Sequence, residues 1–285
     1  PHLGASTVEA QENVSLDVCS QILTILLGGL PPPPSTRLDP PGGVPQAAAL
    51  CQARRAHGCL YTQHYASAGR NSGGGGGGGG LLGGTKFELV YEGELSGVSN
   101  TRPLFAALVK GLVSVITDLG GRDVNIVNAT LIAKEKGIVI NEVHERGGSG
   151  DRTSSGAYAS LVTLRRGANR SGGQMIQGYV SGKNIYISKL GRFMSSFVPE
   201  SSLLILHNYD EPGKIGGVGL VLGKHGINIR SMQVTSLEEE ESEPEGKEMD
   251  SAALMILGVS GTVSRAVVED LERSEGILDV SLVQL

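Results

Sequence analysis

Apolar residues recur every four positions at Ala10, Val14, Val18, Ile22 and Leu26, with Gln, Glu, Asn, Ser and Asp between them. That spacing predicts an amphipathic helix. Ser6-Thr7-Val8-Glu9 fits a capping box at its start, and Gly28-Gly29 with the Pro31–Pro34 run stops it. Regular patterning returns only near residue 85. There Phe87, Leu89 and Tyr91 alternate with Lys86 and Glu88 as in a strand. Leu104, Leu108, Leu112, Val115, Ile116 and Leu119 then follow Pro103 at helical spacing, predicting a helix over 103–119. Segments 138–145, 157–165, 174–180 and 185–190 read as strands, separated by Gly/Ser turn chemistry. Residues 85–200 thus predict an α+β domain with one or two helices over a mixed sheet.

The last zone, 201–285, is the most regular. Leu203-Leu204-Ile205-Leu206 reads as a buried strand, followed by Pro212-Gly213 and a helix over 214–225 with Ile215, Val218 and Leu222 on one face. Gly226 stops that helix. Strands over 227–235, 252–259 and 277–283, with a helix over 263–274 carrying Val263, Val267 and Leu271, complete the string βαββαβ. This is a ferredoxin-like arrangement, with two helices on one sheet face and the other face left for a partner. The acidic run within 238–245 reads as a solvated loop.

Residues 31–84 show neither periodicity. They hold proline tracts and eight consecutive glycines, Gly73 to Gly80, so they predict a disordered Pro/Gly linker. Within them Cys51, His57, Cys59 and His64 match no zinc-ligand spacing, and no metal site is expected.

Composition narrows the functions. The 285 residues carry a net charge of −5, no Trp and only four Phe, which offers neither the basic patch nor the stacking rings of a nucleic-acid binder. No apolar run approaches a membrane span. Three loosely spaced cysteines suit a reducing compartment, and the expected location is cytoplasmic.

Three blocks carry a resemblance. His207-Asn208-Tyr209-Asp210-Glu211-Pro212-Gly213, with Gly226-Ile227-Asn228-Ile229, resembles the ACT domain, an amino-acid-sensing module. Pro1-His2-Leu3-Gly4-Ala5-Ser6-Thr7, running into Glu9-Ala10-Gln11-Glu12-Asn13, resembles the end of the catalytic region of the D-3-phosphoglycerate dehydrogenase family. Residues 85–200 are similar to that family's intervening allosteric substrate-binding domain. The implied organisation is a catalytic remnant over 1–30, a linker over 31–84, a middle domain over 85–200 and an ACT domain over 201–285.

The resemblance also assigns roles. His2 matches the histidine that exchanges a proton with the substrate oxygen while hydride moves to or from NAD, a task suited to an imidazole titrating near neutrality. Gly4 matches the turn beside the nicotinamide. The partner carboxylate, the substrate-gripping arginine and the dinucleotide-binding glycine turn would all lie upstream. Gly73 to Gly80 follows no predicted strand and opens no predicted helix, so it is no substitute. The chain by itself is therefore expected to be inactive.

In ACT domains of this family L-serine sits between two paired domains, and the matching positions are Asn208, Asp210 and Asn228. A carboxylate and two amides suit a zwitterion carrying a hydroxyl. The resemblance implies homo-oligomers formed by ACT pairing. For the middle domain it implies an anionic effector, phosphate or substrate, held by basic side chains; Lys183, Lys189 and Arg192 are the candidates. An alternative reading is a stand-alone amino-acid sensor without catalysis, distinguished by what precedes Pro1.

Overall fold

The computed structural model describes residues 7–27, 44–68, 82, 84–98, 100–145, 160–167, 173–181, 184–237 and 252–285. Two compact units divide the chain, 1–38 and 39–285. Among its described residues the first holds one helix, α1 (Val8–Leu26), in the segment where the apolar spacing predicts one. His2, Gly4 and Ser6 lie outside the described residues.

The second unit begins with a helix the sequence pattern missed. α2 (Val44–Ala68) runs through the zone expected to be a disordered linker. From Ala53 to His64 it is exposed only at Arg55 and half-buried at Gln63. Such a helix has no polar stripe, which is why periodicity gave no sign of it. Three surroundings account for its burial. Toward α3 (Arg102–Val113), Thr62 Oγ1 donates to Leu112 O at 2.9 Å. Toward the first sheet, the Tyr61 ring meets Phe87 edge-on at 4.8 Å. Toward the second sheet, Gln63 bonds both the N–H and the C=O of Gln284.

The first sheet has six strands: β1 (Lys86–Gly93), β2 (Val139–Glu145), β3 (Ser160–Arg166), β4 (Met175–Ser181), β5 (Asn184–Leu190) and β6 (Phe193–Phe197). Their order is β2-β1-β3-β4-β5-β6, with β1 and β2 parallel and the other pairings antiparallel. The β1–β2 crossover runs through α3 and α4 (Ala129–Glu135). Phe87, Leu89 and Tyr91 are buried as the alternation predicts, and the pair Glu88–Arg165 closes at 2.6 Å across β1 and β3. The helix expected over 103–119 ends at Val113; successive turns carry the chain from there to Gly121. α4 and β6 are too short for a period to register.

The second sheet comprises β7 (Ser202–Tyr209), β8 (Asn228–Ser236), β9 (Ala252–Ser260) and β10 (Ile277–Gln284), ordered β10-β7-β9-β8 and antiparallel throughout. α5 (Lys214–Lys224) and α6 (Arg265–Glu272) cover one face, where Leu204, Leu206, Met255 and Leu257 meet Val218, Leu222, Val267 and Leu271. Ile215, expected on that buried face, is 49% exposed. The opposite face, read from sequence as left for a partner, is covered within the chain. Its Leu203, Ile205, Leu254, Ile256 and Val283 join the core of the first sheet. At about 1.5–3 kcal/mol per fully buried apolar side chain, α2 and these five residues bind the two sheets into one body.

Candidate effector site

The β7–α5 turn gathers two of the three residues expected to hold an amino acid. Asn208 is the last buried residue of β7, at 3% exposure, paired with Ala253 on one side and Ile277 on the other. Its Nδ2 donates to Tyr209 O at 2.7 Å, while its Oδ1 is buried with no partner among the described residues. Asp210, two residues on, is exposed. Gly213, at φ 90°, takes the left-handed conformation that starts α5, which glycine adopts at no steric cost. Lys214 then folds back, its Nζ donating to Glu275 O and pairing with Glu211, both at 3.0 Å. Glu211 thus spends its charge on Lys214 rather than on a ligand. The Lys214 contact is a feature of the turn that sequence reading missed, and no spacing announces it.

The third residue lies elsewhere. Asn228 opens β8 and pairs with Ser260, at the far end of β9 from Ala253. Seven residues of strand at roughly 3.3 Å each separate those two positions by about 23 Å. One copy of the chain therefore does not bring Asn208 and Asn228 together. The two edges of this sheet also differ. Gln63 caps the β10 edge, whereas β8 has no strand beyond it among the described residues and leaves Met232 and Val234 partly exposed.

Just inside the turn, His207 stacks on His64 of α2, with ring centroids 5.5 Å apart and planes 16° from parallel. His64 Nδ1 and Ser281 Oγ share a hydrogen bond of 2.6 Å. Burial pulls both imidazoles below their ordinary range, His64 to about 3. The residue next to Asn208 is thus in contact with the helix that joins the two sheets.

Of the middle-domain candidates, Lys183 lies outside the described residues. Lys189 sits in β5 opposite Gln177 and Met194, and Arg192 in the Gly191–Arg192 turn before β6, both half-buried. Cys51, His57, Cys59 and His64 do not converge as a ligand set. His57 Nδ1 lies 2.7 Å from Ala53 O, Cys59 Sγ is 3.3 Å from Ser114 Oγ, and His64 meets Ser281. Among the described residues no group of three or more His, Cys, Asp or Glu could hold a metal ion, and no helix is long and apolar enough to cross a membrane.

The strand–turn–helix at Gly213 comes nearest to a phosphate cradle, yet the acidic Glu211 stands beside it and Lys214 is already engaged.

Known proteins give these units a relation. Residues 84–186, from just before β1 into β5, match the model of the D-3-phosphoglycerate dehydrogenase intervening domain. The whole chain aligns with D-3-phosphoglycerate dehydrogenases from Synechocystis at 30% identity over 287 residues and from Methanocaldococcus jannaschii at 30% over 294. The Bacillus subtilis protein of that name is 28% identical over 286 residues. The chain matches the C-terminal portion of D-3-phosphoglycerate dehydrogenases. It spans 45%, 47% and 48% of the length of these relatives, a little under half. These alignments cover the whole of this chain, the segment of α2 included.

Proposed function

We propose that this chain is the regulatory C-terminal portion of an NAD-dependent D-3-phosphoglycerate dehydrogenase, an enzyme that takes 3-phosphoglycerate to 3-phosphohydroxypyruvate in L-serine biosynthesis. Residues 201–285 act as an ACT module that binds L-serine as a feedback effector. The names of the relatives support the enzyme class. The βαββαβ order with strands β10-β7-β9-β8 supports the ferredoxin-like ACT reading. In the complete enzyme His2 exchanges the substrate proton, Gly4 lies by the nicotinamide of NAD, and this portion alone is inactive. Lys183, Lys189 and Arg192 attract phosphate or substrate to the middle domain. The protein is cytoplasmic.

One observation carries the effector reading: the turn that holds Asn208 and Asp210 and the open β8 edge that holds Asn228 suit a site shared by two copies. When β8 of two copies pairs antiparallel about a two-fold axis, Asn228 of one copy comes to the same end of the joined sheet as Asn208 and Asp210 of the other. Asp210 receives the ammonium of serine, and the two amides meet its carboxylate and hydroxyl. A ligand bound across the seam favours the paired arrangement by its differential affinity, which is how it regulates. Calorimetric titration of the 285-residue chain with L-serine tests this. Saturable heat is expected, and no heat at millimolar serine contradicts it.

A further inference from the structure

α2 carries two buried polar side chains whose nitrogens have no partner among the described residues. Arg54 is 1% exposed, and none of its Nε, Nη1 and Nη2 has a hydrogen-bond acceptor. His57, one turn on and equally buried, leaves Nε2 unmatched. Both line one small cavity between α2 and strands β3 and β4, walled by Leu50, Ala53 and Val162 and by the Gly178 backbone. Ser160 also lines it. Gly178 is required here, because a Cβ on it would meet His57 Nε2 at 2.8 Å.

Among the described residues no acceptor lies within hydrogen-bond distance of the Arg54 guanidinium. Its Cζ lies 4.9 Å from the centroid of the Tyr91 ring, and a ring face attracts a cation without supplying a carboxylate's lone pairs. Glu142 also attracts the Arg54 charge, but its Oε1 accepts from the Tyr91 hydroxyl at 2.6 Å rather than from the guanidinium. Burial brings Arg54 down to about 10, which still leaves it charged at neutral pH. A buried guanidinium without an acceptor among the described residues is a costly arrangement, one that a bound anion would relieve.

His57 defines the other side of that group. Its Nδ1 faces the Ala53 carbonyl, which can only accept, so Nδ1 carries the proton and Nε2 presents a lone pair. The cavity therefore offers several donors on Arg54 and one acceptor on His57. Its volume of about 10 Å³ is close to the room one water needs, too small for a phosphate or a nucleotide.

We propose that this cavity is a binding site for a small monovalent anion, a halide or the head of a carboxylate. Arg54 holds it through its guanidinium N–H groups. The site is separate from the Asn208–Asp210 turn and from Lys189 and Arg192. Occupation stabilises the packing of α2 on the first sheet, because only the folded chain assembles the donors.

Thermal melting of the 285-residue chain at fixed ionic strength in sodium bromide, sodium formate or sodium gluconate tests this. A Tm that climbs with bromide or formate relative to gluconate, and an Arg54→Met chain that loses the climb, are expected. A response to bromide alone assigns a halide, and a stronger response to formate assigns a carboxylate. Equal melting in all three salts, or an undiminished climb in Arg54→Met, overturns the proposal. Should Arg54→Met fail to fold, wild-type crystals grown in bromide decide the matter. An anomalous peak beside the Arg54 guanidinium supports the site, and water alone there refutes it.

Discussion

Gly58 of α2 and Gly111 of α3 face each other where the two helices cross, with backbone against backbone. A Cβ on Gly58 would stand 2.5 Å from Leu108 O and 2.6 Å from Leu112 N, and one on Gly111 would strike the Arg55 carbonyl. Backbone atoms in a helix cannot step aside as a side-chain end can. Gly58→Ala gains about 1 kcal/mol of helix propensity but meets an overpacking penalty of about 1–3 kcal/mol or more. The clash wins. Urea unfolding should show a lower midpoint for Gly58→Ala and Gly111→Ala; an unchanged or raised midpoint in both would mean the helices do not cross there.

The Tyr91 ring and hydroxyl are separable. Tyr91→Phe keeps the ring under Arg54 but deletes the bond to Glu142, at a cost of about 0.5–1.5 kcal/mol. Tyr91→Leu also removes the cation–π contact, worth about 2 kcal/mol when desolvated. Chemical unfolding should rank wild type above Phe above Leu. Equal losses for the two variants would argue that the Arg54 charge does not rest on that ring.

Stability should fall in mild acid. Burial pulls His57 down to about 4, helped by the charge of Arg54, and His64 to about 3. Unfolding frees both to titrate near 6.5, so below that pH the unfolded chain binds more protons and gains on the folded one. Their contribution is fully present above about pH 6.5. It declines as the pH drops toward 4, by as much as about 2.7 kcal/mol per unit for two groups. Denaturant midpoints between pH 5 and 7 check this. A flat profile would contradict the burial of these rings, and His64→Gln should lessen the slope while His57 and His207 keep theirs.

Those two histidines also mark what was legible in the chain. The elements of the second sheet were readable almost to the residue, because α5 and α6 each present one buried face and β7 and β9 are continuous apolar runs. α2 was not. Neighbours on three sides bury it, and Gly58 in mid-helix argues against a helix unless its crossing partner is known. Missing α2 had two consequences. The inner face of the second sheet looked free, and Arg54 and His57 looked like linker residues. The candidate effector residues stand out by their types, but their placement was not legible. Asn208 and Asn228 sit at opposite ends of β9, and register is invisible until strands are paired.

Asp210 should matter to effector affinity more than to folding, since it is exposed at the turn. Asp210→Ala should weaken L-serine binding about tenfold or more, given a charge-assisted bond worth over 1.4 kcal/mol, and should leave the unfolding midpoint near wild type. Calorimetry beside urea unfolding separates the two effects. Unchanged affinity would remove Asp210 from the site.

The most direct measurement mixes two defective chains. Asp210→Ala and Asn228→Ala are each titrated with L-serine, then mixed, allowed to exchange subunits and titrated again. A site shared across the β8 edge takes Asp210 from one copy and Asn228 from the other. Each mixed pair then holds one intact site and one doubly altered site, so wild-type affinity returns at up to half the sites within mixed pairs. If mixing restores no binding although subunits exchange, the effector site does not span two copies.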